Sequence, residues 1–274
     1  MVKMVGIDRN RIVAAAGFLA FAGISLALFA RSGVTSAYLD GIVLEVINMT
    51  LLGKGSIDAA YLIGGLLLFP LSLAFIGAYA LFRDSIDWSL AGISAAMFAL
   101  VLAFSGTGAT NIALGLGVFL SPVIVQYIAI DDKKAYKELR PGRMISNAVG
   151  TAVLAIGILS ALSVFYVTES NVSYSEKALD ATVDATVLMA LDGATQEIKT
   201  IPGGEEIFRE KMVQVKTEIK AMPVFSMIQD YFPHASAVTV FATIQLFSMV
   251  AIAPLAGIFG WFLWKFVEKE AIVK

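Results

Sequence analysis

The chain has no cysteine and only one histidine among its 274 residues. Without thiols it has no disulfide, no thiol nucleophile, no cysteine-held zinc and no iron–sulfur cluster. With His234 as the sole imidazole, a bis-histidine haem or a multi-histidine metal site cannot be built within one chain. Charge is the second shortage. Charged residues make up 15% of the chain, where soluble proteins carry about 25%, while 58% is hydrophobic and mean hydropathy is +0.80. Five runs, 12–30, 59–82, 88–130, 145–168 and 236–264, hold no Asp, Glu, Lys, Arg or His at all. Proton relays, ion-coupled transport, voltage sensing and intramembrane aspartyl proteolysis normally need such a residue inside the bilayer. No Gly-x-Ser-x-Gly elbow, phosphate-binding Gly-x-x-x-x-Gly-Lys-Ser/Thr loop or His-Glu-x-x-His pair occurs either. The expectation is a chain that is not an enzyme and has no cofactor or resident metal.

What the sequence has in abundance is length without charge. At 1.5 Å per residue a helix needs about 20 apolar residues to cross a hydrocarbon core of about 30 Å. The run 12–30 meets that length, and Leu28 and Ala30 make a poor small-x-small cleavage pair, so it is expected to stay as a span. Span two is 59–82, with a kink expected at Pro70. The run 88–130 is too long for one crossing. Ser105-Gly106-Thr107-Gly108 divides it into spans at 88–104 and 109–130, a tight helical hairpin. Span five is 145–168, and span six begins near Ser236, long enough that it must tilt, kink at Pro254 or start outside the bilayer.

Lysine and arginine set the orientation. Segments 1–11, 83–87, 131–143 and 265–274 hold twelve of the twenty basic residues, while the short loops opposite hold only Arg31 and Lys54. The basic side is expected to be cytoplasmic, which puts both termini in the cytoplasm of a multi-pass cell-membrane protein. Asn48 and Asn171 head Asn-x-Ser/Thr triplets on the opposite side and are candidate glycan acceptors. Rows of small residues, Ala16, Ala20, Gly23, Ala27 and Ala30 in span one, Ala91, Ala95, Ala99 and Ala103 in span three, and Ala109, Ala113, Gly117 and Ser121 in span four, suit close helix approach, expected mainly within the bundle.

Outside the spans, 36–52 reads as an amphipathic outer helix with Leu39, Ile42, Val43, Val46 and Met49 on its apolar side. Segment 169–235 reads as two helices around the turn Pro202-Gly203-Gly204. Its downstream half steps Phe208, Met212, Val215, Ile219 and Met222 by four and three, the spacing of a coiled-coil seam and a candidate partner-docking face. Leu179, Val183, Val187, Ala190 and Ala194 nearly repeat that spacing upstream. Asp131, Asp132 and the basic residues through Arg143 form a topogenic charge cluster that also meets anionic head groups. Asn111, Gln126, Asn147, Thr243, Gln245 and Ser248 are the intramembrane polar residues. Interhelical hydrogen bonds are their default use, with Asn111 and Gln245 the candidates for lining a solute path.

Together these patterns predict an all-α integral membrane protein: a six-transmembrane-helix bundle (1–168 and 236–274) with an extracytoplasmic antiparallel helical hairpin (169–235). In span number and outer domain the layout resembles the polytopic inner-membrane subunit of type IV secretion systems and of archaeal DNA-import systems. That resemblance implies a subunit of a secretion, pilus or DNA-translocation machine, with nucleic acid as a partner only in the last case. The alternatives are a homo-oligomeric small-solute channel or facilitator and, third, a membrane-embedded enzyme. Expected partners are the lipid bilayer and other membrane subunits or further copies of the chain.

Overall fold

The computed structural model describes residues 9–33, 36–51, 57–136, 138–192, 210, 211, 213, 214, 217, 218 and 221–272. Among these the regular structure is all helix, with no strand. The elements are α1 (Arg9–Ser32), α2 (Ser36–Asp40), α3 (Ile42–Leu51), α4 (Ala59–Ala80), α5 (Ser89–Ser105), α6 (Ala109–Ala135), α7 (Pro141–Ser170), α8 (Ser173–Asp192), α9 (Pro223–Phe247), a π-turn (Ser248–Ile252) and α10 (Ala253–Ile272). Five helical stretches, Asn10–Ser32, Ala59–Ala80, Ala109–Ala135, Pro141–Ser170 and Met227–Phe266, are long and apolar enough to cross a membrane. The chain is therefore a multi-pass membrane protein. At 17 residues α5 is shorter, about 25 Å.

Local chemistry sets the helix ends. Asp58 caps α4 by accepting the amide of Ala60 at 3.0 Å, and Pro141 opens α7 where a missing N–H costs nothing. Gly106 ends α5 at φ 86°, a left-handed conformation that a Cβ would oppose. α4 continues through Pro70, and α9 continues through Pro233. The helix that leads into the last crossing thus starts at Pro223, well before Ser236, and carries Asp230 and His234 on its early turns, ahead of the uncharged run. His234 packs edge-on against Phe165 of α7, with ring centroids 5.0 Å apart.

Packing centres on α7, which lies against α4, α6, α9 and α10. Glycines let it approach. Fully buried Ile145 of α7 sits between Gly77 of α4 and Gly260 of α10, where an added Cβ would stand 3.0 Å and 2.5 Å from its side chain. Gly142 of α7 and Gly257 of α10 meet backbone to backbone, and Gly150 lies beside Ala253. These two pairs make α7 and α10 antiparallel. α1 docks on α4 through Phe21 stacked on Phe75, Gly17 beneath the Phe75 ring, and a buried hydrogen bond from Ser25 Oγ to the Gly65 carbonyl at 2.9 Å.

Two expectations about faces need correcting. In α1 the buried residues are Ala14, Phe18, Ala22, Ser25 and Ser32, while Ala16, Ala20 and Ala30 are exposed and Gly23 has open space beside it. In α5, Ala95, Ala99 and Ala103 are likewise exposed, and Gly92 is open. Residues two apart on a helix differ by about 200°, so packing the aromatic side of α1 onto α4 turns its alanine row outward. Only the α6 row faces inward, with Ala113, Gly117 and Ser121 buried. The amphipathic outer helix is also broken, by a turn at Gly41. Its first half docks, Ile42 burying against Val164 and Val240, while Val46 and Met49 remain exposed.

Along α9, the π-turn and α10, Ser236, Val240, Ser248, Ile252, Ala256 and Gly260 are all buried, at intervals of four or eight. A row of period four drifts about 40° per step around an α-helix. The π-turn takes up about one extra residue and resets that drift, just before Pro254, where the missing N–H already interrupts the ladder.

Candidate functional site

The most connected polar residue is Asp87, which sits in the link between α4 and α5 and is 8% exposed. Its Oδ1 accepts the Ser89 amide at 3.0 Å and the Ser89 hydroxyl at 2.6 Å. Its Oδ2 accepts the Tyr79 hydroxyl at 2.7 Å and forms an ion pair with Arg11 Nε at 2.8 Å. The Asp87 amide donates to Gln126 Oε1 at 2.8 Å, and Gln126 Nε2 returns to the Pro122 carbonyl one turn back in α6. One carboxylate thus ties together α1, α4, α5 and α6. Burial pushes its pKa up, but donation from Ser89 and Tyr79 and the charge of Arg11 outweigh this and hold the carboxyl below the usual carboxylate range. With both oxygens occupied, Asp87 is suited to holding helices and not to general acid–base work.

Two further polar links lie near it in sequence. Lys133, in the last turn of α6, pairs with Asp84 at 2.9 Å and donates to the Arg83 carbonyl at 3.3 Å. The hydrogen bond from Lys133, and then its charge, pull the Asp84 carboxyl down. Asp132 accepts Asn147 Nδ2 of α7 at 2.8 Å. One of the two acidic side chains at 131–132 therefore joins α6 to α7, and Asp131 and Asp132 both belong to the C-terminal turns of α6.

A separate site joins α2 and α8 to the bundle. Asp40, half-buried at the end of α2, accepts the Thr110 hydroxyl of α6. Burial pushes the Asp40 carboxyl up, and the Thr110 bond only partly offsets it. Tyr174 of α8 is pushed up by its own burial and by the charge of Asp40. Leu179 and Val183 of α8 are buried, and α8 packs on α3 and α9.

The candidates from sequence fall in different places. Asn111 is 3% exposed and lies beside the Gly106–Gly108 turn. Gln245 is in the α7–α9 interface, where its buried Nε2 packs on Gly157 and has no hydrogen-bond partner among the described residues. The two amides belong to different helix interfaces. Asn171 is exposed and its Oδ1 accepts the Ser173 amide at 3.2 Å, capping α8, while Asn48 is half-buried in α3. Met222 is exposed just before α9. Phe208, Met212, Val215 and Ile219 lie outside the described residues. Among the described residues no group of His, Cys, Asp or Glu could hold a metal ion.

Sequence reasoning missed the Asp87 cluster, because Arg11 and Asp87 were both assigned to flanking charge. The pattern Asp87-Trp88-Ser89 directly before an apolar run was the available signal, an acceptor placed to bind the amide two residues on. Compared with protein-family models, with curated proteins and with solved structures, the chain matches none.

Proposed function

We propose that this chain is a non-enzymatic six-span subunit of a larger membrane assembly, of the secretion, pilus or DNA-translocation kind. In this reading α5 is the sixth crossing, both termini are cytoplasmic, and 169–235 forms an outer helical hairpin that docks partners through Phe208, Met212, Val215, Ile219 and Met222. The observation that carries the proposal is the outward direction of the small-residue rows on α1 and α5. Lipid tails are as apolar as the helices, so bare alanine faces offer close packing to another helix that the bundle itself does not use. The uncharged spans favour assembly over coupled transport. A homo-oligomeric small-solute channel is the second reading. The placement of Asn111 and Gln245 in separate interfaces gives it less support.

Disulfide cross-linking tests the proposal in this cysteine-free chain. Ala20→Cys and Ala99→Cys in native membranes should give cross-linked products, while Leu162→Cys, exposed on α7, should give none. Deleting 171–221 should abolish partner recovery while leaving insertion intact. Solute flux through liposomes containing only this protein, reduced by Asn111→Leu, would overturn the assembly reading in favour of the channel.

A further inference from the structure

Where Gly142 and Gly257 let α7 and α10 touch, a furrow of about 530 Å³ opens on the outer surface of the bundle. Its walls are Gly142 and Ser146 of α7 with Pro254, Ile258, Trp261 and Phe262 of α10. Ile258 is 52% exposed and Phe262 60%, so in a membrane these side chains meet lipid and not another part of the chain. The size lies within the range of about 300–1,000 Å³ in which proteins hold small molecules.

The furrow has an apolar end and a cationic end. Because α7 and α10 are antiparallel, α10 runs from Pro254, level with the interior of α7, out past the α7 N-terminus. There Lys265 lies with its Nζ 4.0 Å from the Trp261 ring centroid, about 12 Å along the helix from Gly257. On α7, Arg143 follows Gly142 in the first turn and is exposed, with its guanidinium 5.7 Å from the Tyr136 ring. Arg140 precedes α7 and pairs with Glu138 at 3.3 Å, while Arg143 and Lys265 are described cations that directly follow the furrow's lining in sequence, Arg143 one residue after Gly142 and Lys265 one turn after Trp261. Tryptophan with lysine is the residue pair that membrane proteins place at the head-group level. Basic pockets between transmembrane helices at that level suit anionic head groups.

We propose that this furrow is a binding site for one anionic phospholipid, with an acyl chain along Gly142, Ser146 and Ile258 and the phosphate between Arg143 and Lys265. The chemistry requires a long apolar chain joined to a negative head, which a free phosphate or a neutral lipid lacks. The site depends on membrane residence and on no assignment of sidedness, so symmetric bilayers test it whichever way the chain is oriented in cells.

The full chain is reconstituted in nanodiscs containing phosphatidylglycerol and phosphatidylcholine of matched acyl chains, then extracted and weighed by native mass spectrometry. Native protein should retain phosphatidylglycerol with a several-fold preference. Arg143→Gln with Lys265→Gln should bring the two lipids to parity, and Ile258→Trp, which fills the furrow from its exposed side, should lose the retained lipid of either kind. A second measurement needs no charge variant. Phosphatidylglycerol brominated on its acyl chain should quench native emission more than equally brominated phosphatidylcholine, and the excess should vanish in Trp261→Phe. Equal retention of the two lipids by native protein, a preference that survives the double substitution, or equal quenching would each overturn the proposal.

Discussion

Replacing Gly257 with alanine adds a single methyl group, and the structure fixes what that methyl meets. It would stand 2.7 Å from the Gly142 carbonyl oxygen and 3.0 Å from Ser146 Cβ. Non-bonded heavy atoms sit about 3.5–4.0 Å apart, so α10 must back away from α7 by the better part of 1 Å. The obstacle is backbone on a helix that also supports α4 and α6, and it cannot rotate aside as a side chain would. Overpacking of this kind costs about 1–3 kcal/mol. Alanine's better helix propensity returns about 1 kcal/mol, so the expected net loss is about 0–2 kcal/mol, against a gain of about 1 kcal/mol where the methyl meets nothing. Gly23→Ala and Gly92→Ala are the controls, since nothing lies within 4 Å of either added methyl and only the propensity term remains. Thermal unfolding in mild detergent, followed by circular dichroism, should rank Gly257→Ala least stable, Gly142→Ala next with its closest approach at 3.1 Å, and the two controls at or above the native protein. Equal melting of Gly257→Ala and Gly23→Ala would refute the close crossing of α7 and α10.

Three other outcomes are expected. Asp87→Ala removes the acceptor of three hydrogen bonds and should cost about 3 kcal/mol in the same melting assay, since bonds to a charged group are worth about 1.5–3 kcal/mol each but do not add fully. The two structured carboxylates should respond to acid with opposite signs. Asp87 is held below the ordinary carboxylate value of about 3.9, so its contribution is complete above that pH and is lost as pH falls through its lowered value. Asp40 is raised, so it favours the fold when protonated and that contribution is lost as pH climbs through the ordinary value toward the raised one; Asp40→Asn should melt at or above the native temperature at pH 7. Finally, single cysteines at Lys3, Lys134, Lys54 and Lys216 should be labelled in intact cells by an impermeant maleimide only at the last two, and labelling of Lys134→Cys would refute cytoplasmic termini.

Membrane residence was legible because lipid offers no partner for a bare backbone, and a crossing must therefore be written as a long helix free of charge. The runs 12–30, 59–82, 109–130 and 145–168 all lie within or largely overlap long helices for that reason. What such a run does not encode is direction. The row Ala16, Ala20 and Gly23 marks one face of α1, but whether that face turns inward depends on where Phe18 and Phe21 find room, and Phe75 over Gly17 supplies it on the other side. The close crossing of α7 and α10 was in plain view as Gly142, Ser146 and Gly150 opposite Ala253 and Gly257, spaced by four, yet Gly142, where the backbones meet, lies among residues assigned to a charged loop. Asp87 was hidden by the same habit. A charge beside a span reads as a topological marker, and only the folded chain brings Tyr79, Gln126 and Arg11 to it.

The pairing of Arg11 with Asp87 also has a timetable. The two residues are separated by about 76 positions, and a ribosome adds about 5–20 residues per second, so Arg11 exists for about 4–15 s before its carboxylate has been made. During that interval α1 is already long enough to enter the bilayer, and its guanidinium must find water or a lipid phosphate. Its lock to the bundle closes only after α4 and the following link have been synthesised. A chain halted between Ser32 and Ala59 would therefore carry its first crossing undocked, and one halted between Ala80 and Asp87 would hold it on α4 by packing alone, without the ion pair.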